Sequence, residues 1–198
     1  MKQILTEKNI KPTDDDLQLI NTYTRTAVDE NDVYLFSIVL CDNDVDRDGE
    51  RFTTDSLYTL TELFIGKTEE MDYKRLRNER ARIISCEVEE SDNRKTALGD
   101  NYVKLIARVY IPICRVNNGI INAINNGTIT KVDIHCAAGA QKCSVCGENY
   151  SECPHKKGEV YDSKLCCGEL VNPYDAYEWS FVASKADKNK IGIIWDYI

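Results

Sequence analysis

Apolar side chains occur in runs of the length of a β-strand, separated by polar stretches. Val33 to Cys41 is a continuous apolar run that predicts a buried strand, and the charged stretch Asp42 to Arg51 predicts a loop after it. Ala81 to Val88 and Tyr102 to Ile111 predict two further strands. Because only the polar segment Ser91 to Asp100 separates these two, we expect them to form a hairpin.

The second half of the chain continues with segments of the same kind. Ile129 to Cys136 predicts one strand, and Leu165 to Val171 and Ala176 to Ala183 predict two closing strands. Asn172 and Pro173 are turn-forming residues, so we expect a turn between the closing strands.

Three other segments carry apolar residues at helical spacing. The first follows the acidic residues 14–16, which suit the positive N-terminal end of a helix. The second is expected to be capped by Thr53 or Thr54 and to end at Gly66, and the third includes the isoleucines at 120, 121 and 124. Strands and helices do not alternate strictly. The pattern therefore predicts one α+β domain over residues 1–198, a mostly antiparallel β-barrel or sheet with two or three flanking helices.

Composition and charge narrow the possible partners. The chain has 33 acidic and 25 basic residues and a net charge of −8, whereas a nucleic-acid-binding surface needs a basic face, so we expect no nucleic-acid partner. The 42% hydrophobic content excludes a disordered chain. No apolar run of about 18 residues occurs, and residues 14–16 are acidic where a signal peptide would be apolar. We expect a cytosolic protein with no membrane partner.

Cysteines are concentrated in one segment. Five of the nine fall between residues 143 and 167, and the sequence Cys143-Ser-Val-Cys146-Gly is typical of a zinc knuckle, since two thiolates at this spacing can bind one ion. Cys153, His155 and Cys166 supply further ligands in a loop too polar to fold by itself. We interpret residues 140–168 as an inserted zinc-knuckle subdomain.

Five side chains compete for four places in this predicted Zn²⁺ site. Cys143 and Cys146 are the firmest predicted ligands, and His155 is the only histidine nearby. Cys153 and Cys166 are alternatives for the fourth ligand. Four protein ligands fill a tetrahedral site and leave no position for water, so the zinc is expected to be structural.

A second acidic segment resembles a calcium loop. Asp44, Asp46 and Asp48 are followed by Gly49, as at the start of an EF-hand. An EF-hand needs a helix on each side, but the preceding segment predicts a strand, and Arg47 lies among the would-be ligands. We interpret this segment as a polar turn.

The chain offers few groups for nucleophilic catalysis. Of its two histidines, His155 is assigned to the metal and His135 directly precedes Cys136. Adjacent residues on a regular strand point to opposite faces, so this pair is not expected to form a dyad unless the strand is distorted.

Six segments, in this order along the chain, resemble a known family. They are NDVYLFSIVLCDNDVDRDGERFT (Asn31 to Thr53), LTELFIGKT (Leu60 to Thr68), ARIISCEVE (Ala81 to Glu89), KCSVCG (Lys142 to Gly147), CPHKKGEVYDSKLC (Cys153 to Cys166) and DAYEWSFVA (Asp175 to Ala183). Together they resemble the prohead, or capsid-maturation, serine proteases of tailed phages and of prophages of Gram-positive bacteria. The resemblance implies a fold similar to herpesvirus assemblins, a β-barrel wrapped by helices, and cleavage of scaffold and capsid precursors.

The two catalytic places of that family are occupied here by other residues. Tyr73 stands where the family has its catalytic histidine, and Asp133 stands where it has its serine. A tyrosine with a pKa of about 10 is a poor base near neutrality, and a carboxylate cannot replace the serine as an acyl-transfer nucleophile. We therefore expect no catalytic residues at these positions.

The resemblance and these departures lead to two hypotheses. In the first, the chain is a catalytically inactive structural protein of a phage or prophage particle, which binds capsid or scaffold proteins, or copies of itself, in the host cytoplasm or in the virion. In the second, it is a capsid-maturation protease with a shifted site, in which Cys136 or a nearby serine attacks and His135 assists across a β-bulge.

Overall fold

The computed structural model describes residues 5–69, 81–183 and 192–193. Its helices are α1 (Asp14–Asn21), α2 (Thr54–Phe64) and α3 (Asn118–Asn125), and a 3₁₀ turn covers Tyr150–Glu152. Its strands are β1 (Leu5–Ile10), β2 (Val33–Asp42), β3 (Glu50–Phe52), β4 (Arg82–Lys95), β5 (Asn101–Pro112), β6 (Ile129–Cys143), β7 (Val160–Tyr161), β8 (Lys164–Leu165), β9 (Gly168–Ala183) and β10 (Gly192–Ile193).

The strands form two four-stranded sheets and one small hairpin. The first sheet has the order β1-β2-β5-β4 and is antiparallel throughout. In the second sheet, of order β10-β6-β9-β3, β6 and β9 are antiparallel, whereas β10 and β3 add to them in parallel. The short strands β7 and β8 pair only with each other.

The main hydrophobic core lies between the two sheets. Phe36 and Leu105 from the first sheet share one buried cluster with Trp179 and Ile134 from the second. Helix α2 adds Leu57, Leu60 and Phe64 to this cluster, each fully buried. Apolar residues at positions i, i+3 and i+7 on one face allow that helix to pack against the sheets, as its sequence predicts.

A second, smaller core lies on the opposite face of the first sheet. Ile20 of α1 packs there against Val33 and Leu35 of β2, together with Ile84 and Tyr110. Successive residues of β2 therefore serve two different cores. This explains why that strand is apolar without alternation, since neither of its faces meets water.

The first two helices begin where the sequence predicts, at the acidic residues 14–16 and after Thr53. Thr13 caps α1 in a capping box with Asp16, and Thr53 caps α2 by accepting a hydrogen bond from the backbone N–H of Ser56. The predicted hairpin is also confirmed, as β4 and β5 are antiparallel neighbours. Across the described residues, none of the helices is long and apolar enough to cross a membrane.

The fold class is confirmed in part. The protein is a mixed α+β molecule with mostly antiparallel sheets and three helices over its described ranges. The predicted barrel is not closed within those ranges, because β1, β4, β3 and β10 each end a sheet without a second partner strand. Of the two predicted arrangements, a barrel or a sheet, the described residues therefore form open sheets.

One strand prediction is wrong. The two expected closing strands are a single strand, β9, which continues through Asn172 and Pro173. Asn172 takes a positive φ of 53°, and the register against β6 shifts next to it. Asparagine tolerates this left-handed conformation, so the turn-forming residues are absorbed as a local bulge while pairing continues on both sides.

Candidate metal centre

The cysteine-rich segment joins the two central strands of the second sheet. Cys143 is the last residue of β6 and pairs with Gly168, the first residue of β9. Two further hydrogen bonds close the base of the loop: the Ser144 N–H donates to the Cys167 carbonyl at 3.1 Å, and the Cys167 N–H donates to Ser144 Oγ at 2.9 Å. The loop is thus held at one end of the longest hairpin in the described part of the chain.

Four potential ligands come together in this loop. The ligand atoms of Cys143, Cys146, Cys153 and His155 all lie within 4.8 Å of one another, and Cys143 Sγ is 3.7 Å from His155 Nδ1. A tetrahedral zinc ion with Zn–S bonds of about 2.3 Å places its ligand atoms roughly 3.5–3.8 Å apart. Three thiols and one imidazole at this spacing are compatible with a metal site.

The local backbone supports a thiolate at Cys143. The Val145 N–H donates to Cys143 Sγ at 3.4 Å, and the Gly147 N–H donates to the Cys143 carbonyl at 2.8 Å. Gly147 has a φ of 76°, which glycine adopts without a steric penalty. Burial alone raises the pKa of Cys143, but hydrogen bonds from the backbone of Cys146 and Val145 and from neighbouring thiols outweigh it and lower the pKa to about 6.

Cys166, the fifth predicted ligand, lies beside this group and outside it. Its Sγ is 3.8 Å from Cys143 Sγ, and both side chains are fully buried. Burial, and then the neighbouring Cys143, raise the pKa of Cys166 to about 12. Because Cys153 lies in the group of four clustered ligand atoms and Cys166 does not, the geometry favours Cys153 over Cys166 for the fourth place.

Aromatic packing orients the histidine. The ring of His155 meets the ring of Tyr161 edge-on, with centroids 4.5 Å apart. Tyr161 is itself held by two contacts, as its hydroxyl donates to Glu159 at 2.6 Å and accepts from the Lys156 N–H at 3.2 Å. Tyr161 lies in the small β7–β8 hairpin, and this hairpin therefore packs against His155 of the ligand group.

The loop is also anchored to the first residue of β3 and to the turn before it, which the sequence did not indicate. Glu50 Oε1 accepts from Lys157 Nζ at 2.6 Å and from Gln141 Nε2 at 2.7 Å. The Gly168 N–H donates to the Gly49 carbonyl at 2.8 Å, and a Cβ on Gly49 would lie 2.9 Å from Lys157 Cβ. Glu50 is 91 positions from Gln141 and 107 from Lys157 along the chain, so no local pattern could link them.

The acidic segment that precedes this anchor is a polar turn, as interpreted from the sequence. Asp46 Oδ1 accepts from the N–H groups of Asp48 and Glu50 at 2.9 and 2.8 Å. Asp44 accepts from the Ala97 N–H at 2.8 Å and forms an ion pair with Arg94 at 2.9 Å. The carboxylates of Asp44 and Asp46 are therefore bound to backbone N–H groups and to Arg94.

Of the two residues at the resembling family's catalytic places, only Asp133 lies in the described part of the chain. Tyr73 lies outside the described residues, and Asp133 is on β6 opposite Ser180. His135 is 36% exposed with its Nδ1 3.1 Å from Glu178, whereas Cys136 is fully buried in the core, and burial raises its pKa to about 12. The register shift between His135 and Cys136 places the extra residue, Tyr177, on β9, so the adjacent residues His135 and Cys136 of β6 remain on opposite faces of the strand.

Fold and site together describe an α+β protein of two open sheets with a cysteine–histidine cluster that can hold a metal ion. Comparisons with protein families, with curated proteins and with solved structures each found no match to this chain.

Proposed function

We propose that Cys143, Cys146, Cys153 and His155 bind one structural Zn²⁺ ion. The observation that supports this is the mutual spacing of the four ligand atoms, all within 4.8 Å. Thiolate and imidazole ligands suit zinc, and four protein ligands leave no open position for a reactive water. The ion cross-links a polar loop and so stabilises its folded form. Zinc bound in small modules contributes about 10–16 kcal/mol of apparent binding free energy.

Elemental analysis of the full chain, purified without chelator, tests this proposal. We expect about one zinc per chain. A Co²⁺-substituted sample should show the intense d–d absorption of a tetrahedral thiolate-rich site, which an adventitious surface ion would not give. A zinc content well below one per chain, with no tetrahedral cobalt spectrum, would contradict the proposal.

We further propose that the chain is a non-catalytic assembly protein of a phage or prophage particle. Its support is the resemblance of six segments to the prohead proteases together with Tyr73 and Asp133 at that family's two catalytic places. Losing either member of such a pair typically reduces the rate by about 10⁴–10⁶. The chain would then contribute binding to capsid, scaffold or further copies of itself.

Incubation with scaffold and capsid precursor proteins of a tailed phage tests this role. We expect co-sedimentation or co-elution with a precursor, and intact precursor masses by mass spectrometry after long incubation. Efficient cleavage that disappears in Asp133→Ala would contradict the proposal, and so would the absence of binding to every precursor tested.

The His135–Glu178 contact is the one observation that favours the alternative, a protease with a shifted site. A carboxylate 3.1 Å from an imidazole nitrogen is close enough to orient a general base, although His135 Nδ1 has no hydrogen-bond partner among the described residues. The nucleophile is the weak part of this alternative, because the Cys136 side chain is 0% exposed. Thiol- and serine-reactive activity probes on the native protein should label neither Cys136 nor any serine. Labelling that is lost in His135→Ala would favour the protease.

A further inference from the structure

Five donors surround a site that needs four, and the structure shows where the fifth one lies. Cys166 Sγ is in contact with Cys143 Sγ at 3.8 Å, and Cys143 is also one of the four clustered ligands. A disulfide has an S–S length of about 2.05 Å, so the two sulfur atoms need to approach by roughly 1.8 Å.

The backbone holds these two cysteines together independently of any metal. Cys143 ends β6, and Gly168 opposite it begins β9. Between them, Ser144 and Cys167 exchange two hydrogen bonds of 2.9 and 3.1 Å. By contrast, Cys153 and His155 lie in the part of the loop that the metal would hold in place, and Cys146 is exposed at the tip of a turn.

We propose that Cys143 and Cys166 form an oxidation site, which closes to a disulfide when the loop loses its metal and meets a hydroperoxide. The inference deepens the proposed metal centre and rests on it for its consequence, because a disulfide sulfur at Cys143 is no longer a thiolate ligand. Oxidation therefore blocks metal rebinding, and reduction of the disulfide restores it.

The chemistry balances with hydrogen peroxide as the oxidant. The Cys143 thiolate attacks one peroxide oxygen, the O–O bond breaks, and a sulfenic acid and hydroxide form. Cys166 sulfur then attacks the sulfenic sulfur: the S–S bond forms, the S–O bond breaks, and the departing hydroxide takes up the Cys166 proton as water. The hydroxide from the first step takes up the proton that Cys143 released on ionising. Counting that proton, two thiols lose two electrons and two protons overall, and one peroxide becomes two waters.

Disulfide mapping on the full chain tests the inference. Trypsin leaves Cys143, Cys146 and Cys153 on one peptide that ends at Lys156, and Cys166 and Cys167 on another that begins at Leu165. After chelation and treatment with hydrogen peroxide, we expect these two peptides to be joined. The junction should persist in Cys167→Ala and disappear in Cys166→Ala, a pair of variants that differ by one neighbouring buried thiol.

Zinc rebinding gives the second readout. Oxidised wild-type protein should rebind zinc more weakly than oxidised Cys166→Ala by on the order of tenfold, and a thiol reductant should remove the difference. A disulfide confined to the first peptide, or equal loss of rebinding in both proteins, would overturn the inference.

The untreated variant separates this inference from the metal proposal. Cys166→Ala should bind zinc as wild type does before oxidation. Loss of zinc in that variant would make Cys166 a ligand and overturn the inference. If wild-type protein binds no zinc at all, the metal proposal fails, and disulfide mapping of the same sample still decides whether Cys143 and Cys166 are joined.

Discussion

At the scale of single residues, the surroundings of a cysteine determine the pKa of its thiol, which the sequence alone does not show. Cys136 is buried among apolar side chains, and that burial raises its pKa to about 12. Cys143 is equally buried, yet backbone N–H groups directed at its sulfur lower its pKa to about 6. Hydrogen-bond donors rather than exposure therefore distinguish a thiol suited to bind a metal from one that serves as a small core residue.

Removal of one ligand should abolish tight metal binding. Cys153→Ser is expected to weaken zinc affinity by on the order of 100-fold or more, because it removes a thiolate from the group of four. Cys114→Ser is the matched control, as Cys114 is an exposed cysteine outside the cluster. Competition with a chromophoric chelator measures both. Equal affinities in the two variants would show that Cys153 is not a ligand.

At the scale of elements, one buried carboxylate connects helix α1 to the first sheet. Asp16 Oδ2 accepts from Thr13 N–H and Thr13 Oγ1, each at 2.8 Å, and its Oδ1 lies 2.7 Å from Arg108 Nε on β5. Burial opposes ionisation of Asp16, but these hydrogen bonds and the guanidinium outweigh it and lower its pKa. The same side chain thus caps the helix and docks it.

Asp16→Asn should destabilise the protein by about 1–3 kcal/mol near neutral pH, since it weakens the cap and removes the charge that faces Arg108. Because the folded-state pKa is depressed, this stabilisation is present above the unfolded pKa near 4 and is lost as the pH falls through the folded value. Urea unfolding at several pH values should show the gap between wild type and variant closing in acid. Asp15→Asn, which changes an exposed carboxylate in the same turn, should cost little at any pH.

The contact between the knuckle loop and the turn before β3 is also open to a test. Gly49→Ala places a Cβ at 2.9 Å from Lys157 Cβ at a φ of 72°, whereas Gly99→Ala meets nothing within 4 Å at a φ of 90°. Both substitutions carry the penalty of a positive φ, about 1–2 kcal/mol, and only the first also pushes the loop away. We expect faster proteolysis at Lys156 and Lys157 in Gly49→Ala alone. The same cleavage rate in both variants would show that the loop does not depend on this contact.

At the scale of the whole molecule, the knuckle and the two-sheet core are energetically distinct. Neither hydrophobic cluster takes a described residue from the stretch between Ala138 and Leu170. The loop lacks an apolar core of its own, since its exposed side chains include Val160 and most of its charged residues. Its order should therefore depend on the metal, while the sheets depend on their packing.

Chelation should loosen residues 145–165, the part of the loop beyond the hydrogen bonds between Ser144 and Cys167, and leave the remainder folded. We expect hydrogen exchange in the loop to increase several-fold, with little change in β2, β5, α2 and the far-ultraviolet circular dichroism spectrum. Acid should have a similar local effect, because protons compete with the metal for thiolate and imidazole. Cooperative unfolding of the entire chain on chelation would contradict this division, and unchanged exchange in the loop would show that no metal orders it.

The sequence by itself determined the elements whose cause is local. Apolar runs, helical spacing, the acidic first turn at residues 14–16, the cap at Thr53 and the Cys143–Cys146 pair are each decided within about a dozen neighbouring residues. The structure has a strand, a helix or a clustered pair of thiols at these places. Short strands such as β3 and β10 were missed, because two or three residues carry no period. The turn-forming residues Asn172 and Pro173 led to the wrong prediction of two strands. Pairing with β6 on both sides of them outweighs their local preference for a turn, so β9 is continuous.

Only the tertiary structure decided which side chains meet. The clustering of Cys153 and His155 with Cys143 and Cys146, with Cys166 outside the group, follows from the course of the loop between two paired strands, and spacing along the chain left it open. The anchor of Lys157 and Gln141 on Glu50, and the parallel addition of β3 to β9, join segments about a hundred residues apart. Such contacts form because two sheets bury one common core, and the free energy of that burial belongs to no single segment of the sequence.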